Sequence, residues 1–268
     1  MIKSAIILKL IFCLFFVSFL DANCRSQLVL NSGWEDSDMF QGKSFSKSSL
    51  CNAPYDGEVS DSFARSGNHS ARFEVRTTDA ICGGSFRAEL GSRAVPGLNF
   101  WTAYSEYIPT WLDFDDTREA HIQMHDAGRR GSPLWGIMVD RGKWKFGINY
   151  DTLETGKQIQ ETFDLGPAEK GVWTDWVIYS NFKLDPSGEL KVWKNGVLVV
   201  DKHGANYNME NGGYQALPYL KFGIYKWVWH KPDFKTDVPL KRVVYIDDVK
   251  MGDSTATIDN FLYPAKKN

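Results

Sequence analysis

Three short segments hold the residues whose types and spacing could do chemistry: Phe86-Arg87-Ala88-Glu89-Leu90, His121-Ile122-Gln123-Met124-His125 and Tyr219-Leu220-Lys221-Phe222-Gly223-Ile224-Tyr225. Each reads as a β-strand, on which alternate side chains share a face. His121, Gln123 and His125 then lie together, with Ile122 and Met124 opposite. Lys221 and Tyr225 share a face across Gly223. If Arg87 joins them, one surface offers an imidazole, an amide, an ammonium, a guanidinium and a phenol. That set can remove a proton from a carbon beside a carboxylate.

A uronic acid polysaccharide presents such a carbon. Its C5 hydrogen lies beside a carboxylate, and the glycosidic oxygen leaves from C4. Cleavage by β-elimination needs the carboxylate neutralised, a base for the C5 proton and an acid for the departing oxygen. Gln123 and Arg87 suit the first task as carboxylate donors. His125 suits the second, with a reference pKa near neutrality. Tyr225 suits the third, with Lys221 nearby to tune it or to bind the substrate. In glucuronate and mannuronate the hydrogen and the leaving oxygen are on one side, and a single tyrosine can serve both. In iduronate and guluronate they are opposed, and His125 and Tyr225 must act from two sides. Both residues are present, so both routes stay open.

The elements around these segments are strands. Ser70 to Arg76, Asn99 to Tyr107, Trp135 to Val139, Lys143 to Tyr150, Trp176 to Leu184, Glu189 to Val200 and Arg242 to Met251 alternate apolar and polar residues. Asn195-Gly196 is a strong hairpin signal, because both residues tolerate positive φ. Asp185 to Gly188 and Arg141-Gly142 are further turns. Asp113 to Ala120 and Gly166 to Gly171 are read as single helical turns. Many short strands without a linker or repeat predict one all-β sandwich over residues 25–268.

Composition narrows the partners. The chain has 268 residues and a net charge of −2, which gives no global reason to expect nucleic acid. Near-neutrality also favours a carboxylate polymer over a heavily sulfated one. Residues 1–24 read as a secretory signal, with an apolar run from Leu10 to Leu20 too short for a membrane span. Cleavage is placed near Ala22 to Cys24; lipidation of Cys24 is the second reading. The expected location is therefore secreted or periplasmic, and the expected state a monomer. Cys51 and Cys82 remain in the mature chain, and an exporting compartment favours a disulfide between them over two free thiols. Such a bridge would stabilise by roughly 3–4 kcal/mol.

The segments FRAEL, HIQMH and YLKFGIY resemble the active-site strands of jelly-roll polysaccharide lyases. Alginate lyases of that fold carry an arginine–glutamate strand, a Gln-x-His strand and a Tyr-x-Lys-x-Gly-x-Tyr strand. The context is most similar to the heparin lyase I and glucuronan lyase group, through Trp101 to Trp111, Tyr225-Lys226-Trp227 and Tyr245 to Val249. The alginate pattern has a second arginine two residues after the glutamate, where this chain has Gly91. The resemblance implies a concanavalin-like jelly roll with a concave groove, an anionic polysaccharide substrate and no cofactor for the chemistry. It also implies catalytic roles for Gln123, His125 and Tyr225, with Arg87 and Lys221 binding. A structural calcium ion is a further expectation, with Glu35 and Asp247 as candidate ligands. Asp247 and Asp248 are expected on opposite faces of one strand.

The remaining candidates flank these strands. His121 lines the groove or pairs with a carboxylate. Trp229 is a sugar-stacking candidate, whereas Trp101 and Trp111 are assigned to packing. Arg129, in a Gly-rich loop, is read as substrate-binding. The rival function is a non-catalytic, lectin-like carbohydrate-binding sandwich, which does not require Gln123, His125, Lys221 and Tyr225 on adjoining strands. A retaining hydrolase is disfavoured by the lack of a Glu-x-Asp-x-Glu run to supply paired carboxylates.

Overall fold

The computed structural model describes residues 28–125, 133–151, 157–208 and 217–263. The segment read as a signal, with Cys13 and Cys24, lies outside these residues, as does Arg129.

Fifteen strands follow one another along the chain: β1 (Leu28–Ser32), β2 (Phe45–Leu50), β3 (Gly57–Ser60), β4 (Ser70–Arg76), β5 (Phe86–Ala94), β6 (Asn99–Tyr107), β7 (Glu119–His125), β8 (Trp135–Asp140), β9 (Lys143–Asp151), β10 (Gln158–Pro167), β11 (Trp173–Asn181), β12 (Glu189–Lys194), β13 (Val197–His203), β14 (Tyr219–Lys226) and β15 (Lys241–Gly252). They form two antiparallel sheets. One runs β13-β12-β11-β6-β15-β4-β3, with β1 pairing β15 as well; the other runs β10-β9-β8-β7-β14-β5-β2. The fold is the expected β-sandwich jelly roll. The three chemistry-bearing segments, distant in sequence, become the adjacent strands β7, β14 and β5.

The alternation read from sequence explains the packing. Ile122, Met124, Trp135, Ile137, Trp144, Phe146, Phe222 and Ile224 point between the sheets and are fully buried. They meet Phe73, Trp176, Ile178 and Ile246 of the other sheet in one continuous core. Removal of this apolar area from water is the main favourable term in folding. Asn195 and Gly196 take φ of 52° and 79° in the β12–β13 hairpin, and Arg141 and Gly142 take 51° and 73° between β8 and β9. Neither expected helical turn forms. Among the described residues the only helical element is a 3-10 turn, Ile258–Asn260.

One departure from alternation matters for the site. Ala120 pairs with Met138 and Ile122 with Ile137, so His121 is an extra residue in β7. This β-bulge turns His121 inward. It is 3% exposed, its Nδ1 meets Glu106 of the opposite sheet, and its Nε2 lies 3.1 Å from Glu119. The expectation that His121 shares the groove face with Gln123 and His125 is therefore corrected. A second departure is at Asp248, whose φ is 52°. The alternation expected of Asp247 and Asp248 is broken there, and both carboxylates serve one loop. Asp247 accepts from the backbone N–H groups of Arg65 and Ser66, and Asp248 accepts from the Ser66 hydroxyl.

Candidate active site

The outer face of the seven-stranded sheet carries the site. Register fixes its layout. Lys221 of β14 stands opposite Gln123 of β7 on one side and Gly91 of β5 on the other. Tyr225 stands opposite Arg87, and Tyr219 opposite His125. Gln123 and Tyr225 both line a cleft of about 290 Å³. Gly223, at φ 128°, lets β14 pass close to β5: a Cβ there would lie 2.1 Å from the Ala88 carbonyl oxygen. A side chain at this position would force apart the strands that hold Arg87 and Tyr225.

One carboxylate organises the centre. Glu89, 1% exposed, accepts from Gln123 Nε2 at 2.7 Å and from Lys221 Nζ at 2.8 Å. Arg87 Nη1 lies 3.9 Å from the same carboxylate. Two cations thus share one internal anion, which leaves one positive charge for a ligand. An amide nitrogen carries two N–H groups; Gln123 spends one on Glu89 and has a second to offer. Strand alternation places Glu89 on the same face as Arg87, but its part in the site was not read from the sequence. Its partners come from two other strands.

His125 stacks on Tyr219, with ring centroids 5.7 Å apart and planes at 25°. Burial pushes the imidazole pKa down to about 4, and the nearby Lys221 and Arg87 charges push the same way. His125 is therefore neutral at ordinary pH and able to accept a proton. The Arg87 guanidinium covers the Tyr225 ring at 4.4 Å from its centroid and donates to the Gly83 carbonyl at 3.0 Å. Gly83 follows Cys82, which is bonded to Cys51 as expected.

His121 belongs to a different assembly beneath the groove. Glu119 binds Arg242 at 2.5 and 2.6 Å, Lys226 at 3.1 Å and His121 at 3.1 Å. Burial opposes charge on His121, but Glu106 and Glu119 outweigh it and raise its pKa to about 9. Glu119 is likewise held well below the usual carboxylate range: burial opposes this, and Arg242 and Lys226 overcome it. The cluster ties β7, β14, β6 and β15 together and does not face the groove.

Trp229 is also corrected. It is 4% exposed, packs against Phe86 and Phe234, and donates through Nε1 to Asp115 at 3.0 Å. Two residues earlier, half-buried Trp227 lines the cleft beside Tyr225, ring centroids 5.4 Å apart. The strand's parity, carried past Lys226, was the available signal. Trp111 is 53% exposed rather than packed, while Trp101 stacks on Trp193 and Phe261 as a packing residue. Glu35 and Asp247 are engaged with backbone amides, Glu35 with those of Asn68 and His69. Among the described residues no three His, Cys, Asp or Glu side chains converge as a metal site.

Comparison with known proteins decides the family. A family model described as polysaccharide lyase matches residues 31–250. The chain belongs to that family. The lyase is similar in fold to the endo-β-1,4-glucuronan lyase of the fungus Trichoderma reesei, with a TM-score of 0.61 at 17% identity, covering 78% of this chain and 94% of that one. It is also similar to the cellulose-induced protein Cip1, with a TM-score of 0.57 at 15% identity over 83% and 96% of the two chains. The alginate lyase AlgAT5, of polysaccharide lyase family 7, aligns with a TM-score of 0.52 at 16% identity over 80% and 96%. No curated protein sequence matches the lyase. Family membership sets aside the lectin-like alternative.

Proposed function

We propose that this lyase cleaves a uronic acid polysaccharide by β-elimination and leaves a 4,5-unsaturated uronate at the new end. The observation that carries the reading is the shared grip of Glu89 on Gln123 and Lys221, opposite each other on adjoining strands. It holds an amide donor and an ammonium at one point of the groove, with His125 on one side and Tyr225 on the other. A substrate carboxylate at that point meets the free Gln123 N–H and the net positive charge of the Arg87–Lys221–Glu89 group. As C5 loses its proton, negative charge builds on this carboxylate, and donors fixed in advance stabilise it without reorganising.

The proton then has two routes. For a substrate with the C5 hydrogen opposite the leaving oxygen, neutral His125 takes the proton and the Tyr225 hydroxyl supplies one to O4. For a substrate with both on one side, Tyr225 does both in turn. In each case the C5–H and C4–O bonds break, a C4=C5 double bond forms, and no redox or nucleotide cofactor is needed. Glucuronan, alginate and heparin-type polymers are the candidate substrates, and the reading includes export of the protein. The Cys51–Cys82 bridge supports export, because disulfides persist in oxidising compartments. A panel of these polymers, followed by the ultraviolet absorbance of the conjugated product, tests the reading. Growth of that absorbance on a polyuronate, lost in Tyr225→Phe, is expected. Absence of any increase across the panel would overturn it.

A further inference from the structure

The cleft that holds Gln123 and Tyr225 continues past the tyrosine to a second cation. Tyr225 pairs with Ala120, and Ala120 with Met138. Two residues further along the chain from each stand Trp227, Arg118 and Asp140, and the first two of these line the cleft. Arg118 donates through Nε to Asp140 at 2.9 Å. Arg141, at the β8–β9 turn, holds the same carboxylate through Nε at 3.1 Å and Nη2 at 3.4 Å. Asp140 is 5% exposed. Burial opposes its charge, but the two arginines overcome this and hold its pKa below the usual value.

Two cations thus share one anion, as Arg87 and Lys221 share Glu89. Each group keeps one positive charge in excess. Among the described residues Arg118 commits only its Nε, which leaves both terminal nitrogens for a ligand, and its side chain is 49% exposed. The one carboxylate of the cleft wall, Glu161, is already matched: Lys202 lies 3.2 Å away, and the Tyr150 hydroxyl donates to it. On β8, Gly136 faces Gln123 and Asp140 meets Arg118, and the strand between them spans about 13 Å. One sugar ring cannot reach both cationic points. A ligand that meets both does so with two carboxylates of one chain.

We propose that Arg118 and Trp227 form a second anionic subsite, where the guanidinium takes the carboxylate of a uronate further along the chain and the indole packs against that unit's ring. The preferred substrate then carries uronates on more than one unit, and oligomers too short to reach Arg118 bind weakly. This rests on the β-elimination reading and adds the charge pattern of the polymer. The planar guanidinium offers parallel N–H donors that match a carboxylate. At the exposed rim the gain is that of one charge-assisted hydrogen bond, about tenfold in affinity.

The test is calorimetric binding of length-graded glucuronan and alginate oligomers to the Tyr225→Phe protein, which does not depend on turnover. On one of the two polymers, affinity should rise by about tenfold at the length that first reaches Arg118. Adding Arg118→Gln should remove that step. Arg118→Lys should restore part of it, because a point charge lacks the planar fork. Lys191→Gln removes an equal charge from its pairing with Glu189 on the other sheet and should keep the step. Melting temperatures check that each variant is folded; Asp140 retains Arg141 throughout. No step on either polymer with Arg118 present, or a step that survives Arg118→Gln, would overturn the subsite. If the step vanishes with Arg118→Gln but wild type cleaves none of these oligomers, the β-elimination reading fails and the subsite stands.

Discussion

Arg87 lies over the ring of Tyr225, 4.4 Å from its centroid, while its guanidinium also donates to the Gly83 carbonyl. The phenol is thus held from above by a cation that is itself held by the turn preceding β5. Tyr225→Phe keeps the ring and this contact and removes only the hydroxyl. Its kcat should fall by about 10²–10⁴, the usual worth of a positioned proton-transfer group, with the melting temperature unchanged. Near-wild-type turnover in this variant would remove Tyr225 from its assigned role.

Glu89 is the hinge of the carboxylate-binding point. Glu89→Ala leaves Lys221, 7% exposed, without its anion and frees the Gln123 amide. Removing one partner of a buried pair costs about 3–5 kcal/mol; opening toward the groove should place this case at the low end. Thermal unfolding should show the loss, and kcat/KM should fall together with it. A variant with normal stability and normal kcat/KM would show that Glu89 positions nothing.

The two histidines of β7 should give opposite pH dependences. His125 titrates near 4 when folded and near 6.5 when unfolded. The unfolded state therefore binds more protons between these values, and this group lowers stability as pH falls from about 6.5 to 4. The neutral base persists to the same limit, so the acid limb of kcat/KM should extend well below 6.5. Lys221→Met should move that limb upward, because it removes a charge that disfavours protonation. His121 titrates near 9 when folded. Its contribution is complete below about 6.5 and is lost as pH rises through 9. Melting curves of His121→Gln across pH 6–10 should lack that alkaline decline. An unchanged alkaline slope would place the titration elsewhere.

The Cys51–Cys82 bridge closes a loop between residues 31 apart in sequence. Replacing both cysteines with alanine should cost roughly 3 kcal/mol of stability, read by denaturant unfolding. Because the Gly83 carbonyl holds Arg87, the variant should also lose turnover at temperatures where it is fully folded. Full activity there would mean that Arg87 does not depend on the bridge.

How far the site could be read in advance follows from what strand alternation transmits. Gln123 and His125, Lys221 and Tyr225, and Arg87 emerged on one surface because each pair obeys period 2 on its own strand. The same rule misplaced His121, since one bulged residue reverses the parity beyond it. Trp229 was misassigned to the groove for a related reason: β14 ends at Lys226, and the parity that still holds one step on, at Trp227, fails by the buried Trp229. Glu89 was not assigned a part in the site because its partners, Gln123 and Lys221, lie 34 and 132 positions away.

The sequence by itself determined the strand content, the hairpin at Asn195-Gly196, the disulfide and the chemical types available on each strand. These depend on local backbone preference, side-chain periodicity and the compartment. Only the tertiary structure decided that β5, β14 and β7 are neighbours, that Glu89 joins an amide to an ammonium, and that His121 serves a buried ion cluster. Those outcomes depend on register between segments far apart in the chain, set when two apolar sheet faces close on each other and exclude water. No local pattern encodes a register that exists only once the sandwich has formed.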